Sequence, residues 1–584
     1  MPNASRIREF LENLWWNLSD GCYTMQLAHY GGKYSIERTL AFEEYTCNTS
    51  VIRVLLVIMG LPIFTCAILL CQELIPLQNP HEGWKANWGF WLRAFVLGIA
   101  NGHEAITQVP PWLKVPSFSS TDIVVFSFFT GIGLVAGGVV MAEIWVFPIP
   151  FFLLTSSVIL SAILAGLLRI VAGGAVFQII ASRKEELRRL NNVATLEALM
   201  CAGYPVYQIL FAMTNSTPYE LPVILLLSVV KLVVKRVFRS AASHEEDLIP
   251  KQVIFTVDLF DSFYLATFMQ TLAATTIVAV ILVDVADSAI ELRQLHQRTK
   301  SVLARINELV NPSTSDKKVE KFHEVVRSLL LKTKALKDNL QEDWRVRSCI
   351  THKLSSRSKS LLDMLDRHLQ TSTLDSSSHI QLPAPTFSSV VPLCGRITTK
   401  ACVNSVPLNS TYKKGPPCIK VNPDMNKEVD YGKVRRRLQT TKVVALLQES
   451  LEILFTSECI VLTEYVEIII PIIHGLFIFV TVHQPSAKYH SEMDGVTFDN
   501  VGSIVSRIFV YATFEFLSLV VLALIAKRNC GIHVLYQLAF VLETDIAFVP
   551  SKLIMWILYT LTYRVTHFGT FFSHSFNASS TELA

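Results

Sequence analysis

Residues Gln448 to Val480 read QESLEILFTSECIVLTEYVEIIIPIIHGLFIFV, and their pattern points to one long helix. Successive residues of an α-helix turn by about 100°. With Glu449 at zero, Glu452 falls near 300°, Glu464 near 60°, Glu467 near 0° and His474 near 340°, so these groups share about a third of the circumference. Glu458 points the other way. The remainder is mostly Ile, Leu, Val and Phe. At about 1.5 Å per residue the stretch is longer than a hydrocarbon core of roughly 30 Å. Its first turns are therefore expected outside the core, with the span beginning near Ile460. Two readings of the acidic face stand side by side: interfacial charge at a headgroup boundary, or a polar seam turned to a cavity or partner helix.

The whole chain fits that opening. Its 584 residues are 51% hydrophobic and only 17% charged, with mean hydropathy +0.40. A water-soluble chain of this length would need more charge to cover its surface. Several apolar runs exceed about 18 residues, where a transmembrane helix becomes the default reading. The expected fold class is all-α: a polytopic helical membrane protein of about eight to ten spans, with a soluble helical, coiled-coil insert. The first residues show no apolar core ahead of a cleavage site, so the first span is expected to act as the insertion signal.

The net charge of +4 conceals a division, because Asp284 to Phe455 carries about ten more basic than acidic residues. A basic insert beside membrane spans favours the cytoplasmic face and an anionic inner leaflet as partner. No aromatic-basic platform accompanies the charge, so nucleic acid is not an expected partner. Eleven Cys form no CxxC pair, and neither a metal site nor a cofactor is read from the sequence. Cys22 and Cys47 could pair in a disulfide if the N-terminus lies outside.

Taken in order, residues 1–50 read as an N-terminal tail and 51–284 as a first membrane block. Val54 to Leu74 is the first clear span. GWKANWGFWLR places Trp84, Trp88 and Trp91 on one helical face, an aromatic-belt signature. Ala94 to Val109 is an ambiguous span because it holds Asn101, His103 and Glu104. Ile123 to Val146 carries Gly133 and Gly137 as a GxxxG motif, which lets helix backbones approach. Phe151 to Val171 is read as a span running on to Ala181. Val193 to Met213 and Leu221 to Phe238 form a hairpin with basic ends, in which Lys231 is expected to snorkel to the inner surface. Gln252 to Val283 is too long for one span. Residues 285–370 repeat apolar positions in steps of three and four, among them Leu295, Thr299, Val302 and Ile306. Such heptads serve either intramolecular packing or a homo-oligomer or protein partner. Residues 371–442 read as a disordered basic linker, with Arg435, Arg436 and Arg437 placed to contact anionic lipid. A second membrane block is expected at 443–567 and a C-terminal tail at 568–584. Its last span, Gln537 to Leu561, has Glu543 and Asp545 at the start.

Two regions match in order. ALMCAGYPVYQILF, LLSVVKLVVKR and QVIFTVD parallel EYVEIIIPIIHGLF, FLSLVVLALIAKR and QLAFVLE. Three-span repeats are common in transporters, which bind at the repeat interface. The basic flanks put both regions in one orientation, yet three spans each with none between would invert them.

WVFPIPF, GWKANWGFWLR, EYVEIIIP and YQLAFVLET together resemble an expanded family of uncharacterised multi-pass membrane proteins from oomycetes. The resemblance covers the membrane parts and implies a helical membrane fold, with no activity attached. No GxSxG, HExxH, P-loop or kinase set occurs in a usable context, so no catalytic residue is assigned. Two functions remain: a transporter or channel for a small solute or ion, and a signalling or scaffold protein acting through the basic insert. The membrane is expected to be the plasma membrane or an endomembrane, with the insert cytoplasmic. The candidate intramembrane polar site comprises Glu515, His474, Glu467, Glu464, Glu543 and Asp258. Glu515 leads because it lies mid-span, where an unpaired charge costs about 3 kcal/mol or more. Its expected partners are His474 and Arg507.

Overall fold

A computed structural model of the chain describes residues 32–214, 217, 219–242, 247–272, 274–310, 326, 345–348, 350, 352–377 and 431–568. Among them the fold is all-helical, with no strand. The helices, in order, are α1 (Ile36–Asn48), α2 (Val51–Glu73), α3 (Trp88–Leu113), α4 (Ser120–Ile144), α5 (Ser157–Val171), α6 (Gly173–Ser182), α7 (Lys184–Thr214) and α8 (Glu220–Ala242). Next come α9 (Ile249–Val253), a π-helical turn (Ile254–Asp258) and α10 (Leu259–Phe268). Then follow α11 (Ala274–Val310), α12 (Ser356–Ser377), α13 (Tyr431–Thr481), α14 (Val501–Ile525), α15 (Val534–Thr544) and α16 (Phe548–Thr562).

Four described helices are long and apolar enough to cross a membrane: Val51–Glu73, Ser120–Ile144, Lys442–Thr481 and Val501–Cys530. They are the basis for reading the chain as a multi-pass membrane protein in contact with a bilayer. Three are only 33% buried in their most apolar window, whereas the segment within α13 is 78% buried. Those three, Val51–Glu73, Ser120–Ile144 and Val501–Cys530, therefore turn apolar side chains outward, such as Leu56, Phe64, Phe129 and Leu524. The helix that carries the acids is the inner post. It runs unbroken through Pro471 and Gly475.

Local chemistry sets the other elements. Ser119 and Asp122 form a reciprocal capping box at the start of α4. Ser50 caps α2 through the Arg53 amide, 3.4 Å away. α4 has two small-residue stripes. A Cβ on Gly98 of α3 would lie 2.7 Å from the Gly131 Cα, so those backbones nearly touch. Gly133 and Gly137, the expected GxxxG pair, instead face Ile163 and Ile159 of α5.

Several boundaries differ from the sequence reading. The ambiguous run from Ala94 lies within one continuous helix, α3. The span expected from Phe151 is broken into shorter pieces, with Gly173 at φ +71° opening α6. The single span expected from Gln537 is two helices, and Asp545 sits at their junction, where its carbonyl accepts from the Phe548 and Val549 amides at 2.9 and 3.0 Å. The stretch Gln252 to Val283 also divides. The chain turns at Met269 to Leu272, marked only by the polar pair Gln270 and Thr271, with no glycine or proline.

That turn adds a crossing and removes the orientation conflict. α11 runs antiparallel to α13, with Ser288 against Glu464 and Arg305 against Glu449. α10 runs with α13, and α8 runs against α10, pairing Lys231 with Asp261 and Lys235 with Asp258. The two compared regions, beginning in α7 and α13, therefore run in the same direction.

The segment before Val51, expected as a tail, contributes core. Tyr34 and Arg38 are buried at 2% and 1% exposure. The returning insert pairs with it: the Ile36 and Glu37 amides donate to the Arg345 and Val346 carbonyls, each at 3.1 Å. The heptad positions Leu295, Thr299, Val302 and Ile306 of α11 are buried within the same chain. The expected heptads from Val319 to Leu340, all but one residue of them, lie outside the described residues. So do Cys22, most of the expected linker and the C-terminal tail. Arg435 to Arg437 lie in the first turns of α13, and their side chains lie outside the described set.

Candidate functional site

Six helical segments bring ionisable residues to one level of the bundle. α8 supplies Lys231 and Lys235, one turn apart on the same face. The π-helical turn ends in Asp258, and Asp261 follows on α10. π-helical turns inside α-helices widen the ladder and recur at functional sites. α13 supplies Glu464 and Glu467. α11 presents Asp284, Ser288 and Glu291 at i, i+4 and i+7, and α14 presents Tyr511, Glu515 and Ser518 at the same spacing.

The Lys231 ammonium is the hub. It lies 3.2 Å from Asp258, 2.9 Å from Asp261 and 2.9 Å from Glu467. Lys235 contacts Asp258 at 2.7 Å. Snorkelling is thus overturned: Lys231 sits in the middle of its helix, its side chain only 17% exposed, held by carboxylates from three elements. Asp284, Glu291 and Glu515 extend the same electrostatic cluster, each interacting with Glu467. Glu515 is buried while its neighbours Phe514 and Phe516 point outward. Glu464 accepts from Ser288 at 2.8 Å and Ser518 at 3.1 Å. Carboxylates outnumber the two lysines.

The structure gathers Glu515, Glu467, Glu464 and Asp258 of the expected set and places the others elsewhere. His474 is fully buried against Gln270 (Nε2 to Nε2, 2.9 Å) and the Phe263 ring, 4.9 Å between centroids. Arg507 donates to the Gln270 carbonyl at 3.4 Å. Neither expected partner stands at the level of Glu515, because antiparallel α13 and α14 bring Glu464 and Glu467 there instead. Glu543 lies at the insert end, where it pairs with Arg53 and accepts from Tyr45 at 2.8 Å.

Three further buried networks escaped the sequence. Glu458 receives Arg38 Nη2 at 2.8 Å on both oxygens and the Tyr34 hydroxyl. Lys552 pairs with Glu197 and, at 3.3 Å, with Glu104. At the end opposite the insert, Arg93 holds Glu73 at 2.9 Å, His490 joins it at 3.2 Å, and Arg564 pairs with Glu492. For Glu458, Lys552 and Arg93 the only sequence signal was a charge beside apolar residues, and His490 and Glu492 lie in a polar stretch. Among the described residues no three His, Cys, Asp or Glu side chains are placed to hold a metal ion. Comparison with known protein families, curated proteins and solved structures finds no match for this chain.

Proposed function

We propose that the protein is a multi-pass membrane transporter or channel for a small solute or ion, and that the Lys231 cluster is its coupling site. One observation carries this: a carboxylate surplus around a lysine, at mid-height of the bundle, on helices from both halves of the chain. A structural network needs only as many acids as it has bases. A surplus that must hold protons or cations is a binding device for them. Convergence of non-contiguous helices, one with a π-helical turn, is the architecture in which transporters place coupling ions. Membership of the oomycete membrane family is part of the same proposal and supplies no activity of its own.

The scaffold reading rested on the heptads. Four of those positions in α11 are occupied within the chain, which removes that part of the seam from partners. The test uses full-length protein in proteoliposomes loaded with a pH-sensitive dye and challenged with amino acids, sugars, nucleosides and inorganic ions. Wild type should show ligand-evoked flux, and Lys231→Met should abolish it. Absence of any flux from folded wild type, together with loss of self-association on deleting the insert, would favour the scaffold.

A further inference from the structure

We propose that Glu464 of α13, Ser288 of α11 and Ser518 of α14 form a binding site for a sodium-sized monovalent cation. The inference rests on the transport reading only for what the bound ion would drive. The site itself stands on its oxygens.

Glu464 is buried at 4% exposure. Both serine hydroxyls donate to one oxygen, Oε1, at 2.8 and 3.1 Å. The other oxygen, Oε2, is buried with no hydrogen-bond partner among the described residues. A buried carboxylate oxygen left unsatisfied is destabilising, the more so when charged, unless something occupies it. Each donating hydroxyl keeps acceptor lone pairs, so the serines can turn oxygen towards a cation without losing their place. The three side chains come from three helices, so an ion between them would tie the bundle together.

The chemistry selects the ion. Oxygen-only ligands suit hard cations. One carboxylate and two neutral hydroxyls balance a single positive charge. A divalent ion would need further acids, and the described residues place no three such side chains around a metal. Glu467, one turn along α13, is already matched by Lys231 at 2.9 Å. No lysine or arginine lies within ion-pair distance of Glu464 among the described residues, so Lys231 serves the lower acids and leaves Glu464 for a mobile cation.

The experiment follows thermal unfolding of purified full-length protein as sodium chloride replaces choline chloride at constant ionic strength, with potassium chloride as a size control. An ion that binds only the folded state raises the unfolding temperature saturably. Wild type should show that rise with sodium and a smaller one or none with potassium and choline. Ser518→Ala alone should weaken the apparent sodium affinity about tenfold, and Glu464→Gln should remove the response. Equal responses to all three salts, or an unchanged response in Ser518→Ala and Glu464→Gln, would overturn the site. Should Glu464→Gln fail to fold, Ser518→Ala and Ser288→Ala decide alone. Sodium-specific stabilisation without flux would retire the transport reading and keep this site. Flux without such stabilisation would do the reverse.

Discussion

Glu458 and Glu464 stand less than two turns apart on the same inner helix, and their surroundings are opposite in kind. Glu458 is saturated: Arg38 reaches both its oxygens at 2.8 Å, Tyr34 donates to it, and Gln537 holds the Tyr34 hydroxyl at 2.9 Å. The pair is neutral, and the guanidinium also lies 5.1 and 5.8 Å from the Tyr34 and Phe540 ring centroids. Glu464 keeps a bare oxygen and belongs to a cluster with more acids than bases. Balance of charge and satisfaction of every oxygen mark a joint. Surplus is the mark of the site proposed above to bind. Burial alone distinguishes neither, since Glu458 and Glu464 are 0% and 4% exposed.

The comparison can be broken at its structural end first. Glu458→Ala leaves Arg38 buried without its counter-charge and should cost about 3–5 kcal/mol, read as a fall in unfolding temperature. The double variant Arg38→Met with Glu458→Leu should recover most of that loss. A mild effect of Glu458→Ala would show that the joint is no joint.

At the other end, Asp261→Asn should lower any measured flux about tenfold or more while costing less stability than Glu458→Ala, because Lys231 keeps Asp258 and Glu467. Equal damage to folding by both variants would erase the distinction between the two regions. Glu515→Gln sharpens it further. Gln keeps the shape and hydrogen bonding but cannot ionise, so the fold should hold and the pH dependence of flux should flatten. A variant with wild-type rate and pH profile would make Glu515 structural glue.

The smallest expected effect lies beside the joint, in a residue outside the four candidate spans. His352 stacks on Phe540, 5.7 Å between centroids, and burial, with Arg38 and Lys251 nearby, pushes its pKa down to about 3. The folded chain therefore refuses a proton that the unfolded chain takes up below about pH 6.5. Stability is lost as pH falls through that value, about 1 kcal/mol between pH 6.5 and pH 5.5. His352→Phe should remove that part of the acid slope, measured as unfolding temperature against pH. An unchanged slope would place the imidazole in water.

Much of this was legible in the sequence, for a local reason. Side-chain period and apolar length are properties of neighbouring residues, so the long apolar helices and the shared acidic face of α13 could be read directly. The deeper part of that face turns inward, with Glu464 on Ser288 and Glu467 on Lys231, while Glu449 meets Arg305 at a part-exposed surface. The face carrying Glu458 was the one passed over, because a lone acid gives no pattern. The breaks at Gln270 and at Thr544 to Ala547 were hidden as well, since neither carries the glycine or proline that punctuates a helix.

Composition and periodicity thus settled a helical chain with apolar helices long enough to span a membrane and an acid-bearing helix among them. Which acids are neutralised, which remain in surplus, and which way the compared regions run were decided only when distant segments met. Lys231 reaches Glu467 across 236 positions, and Arg38 reaches Glu458 across 420. A charge carries no mark in the sequence of the partner it will find. Its energy in a buried site depends almost entirely on that partner, and partnership is a property of packing.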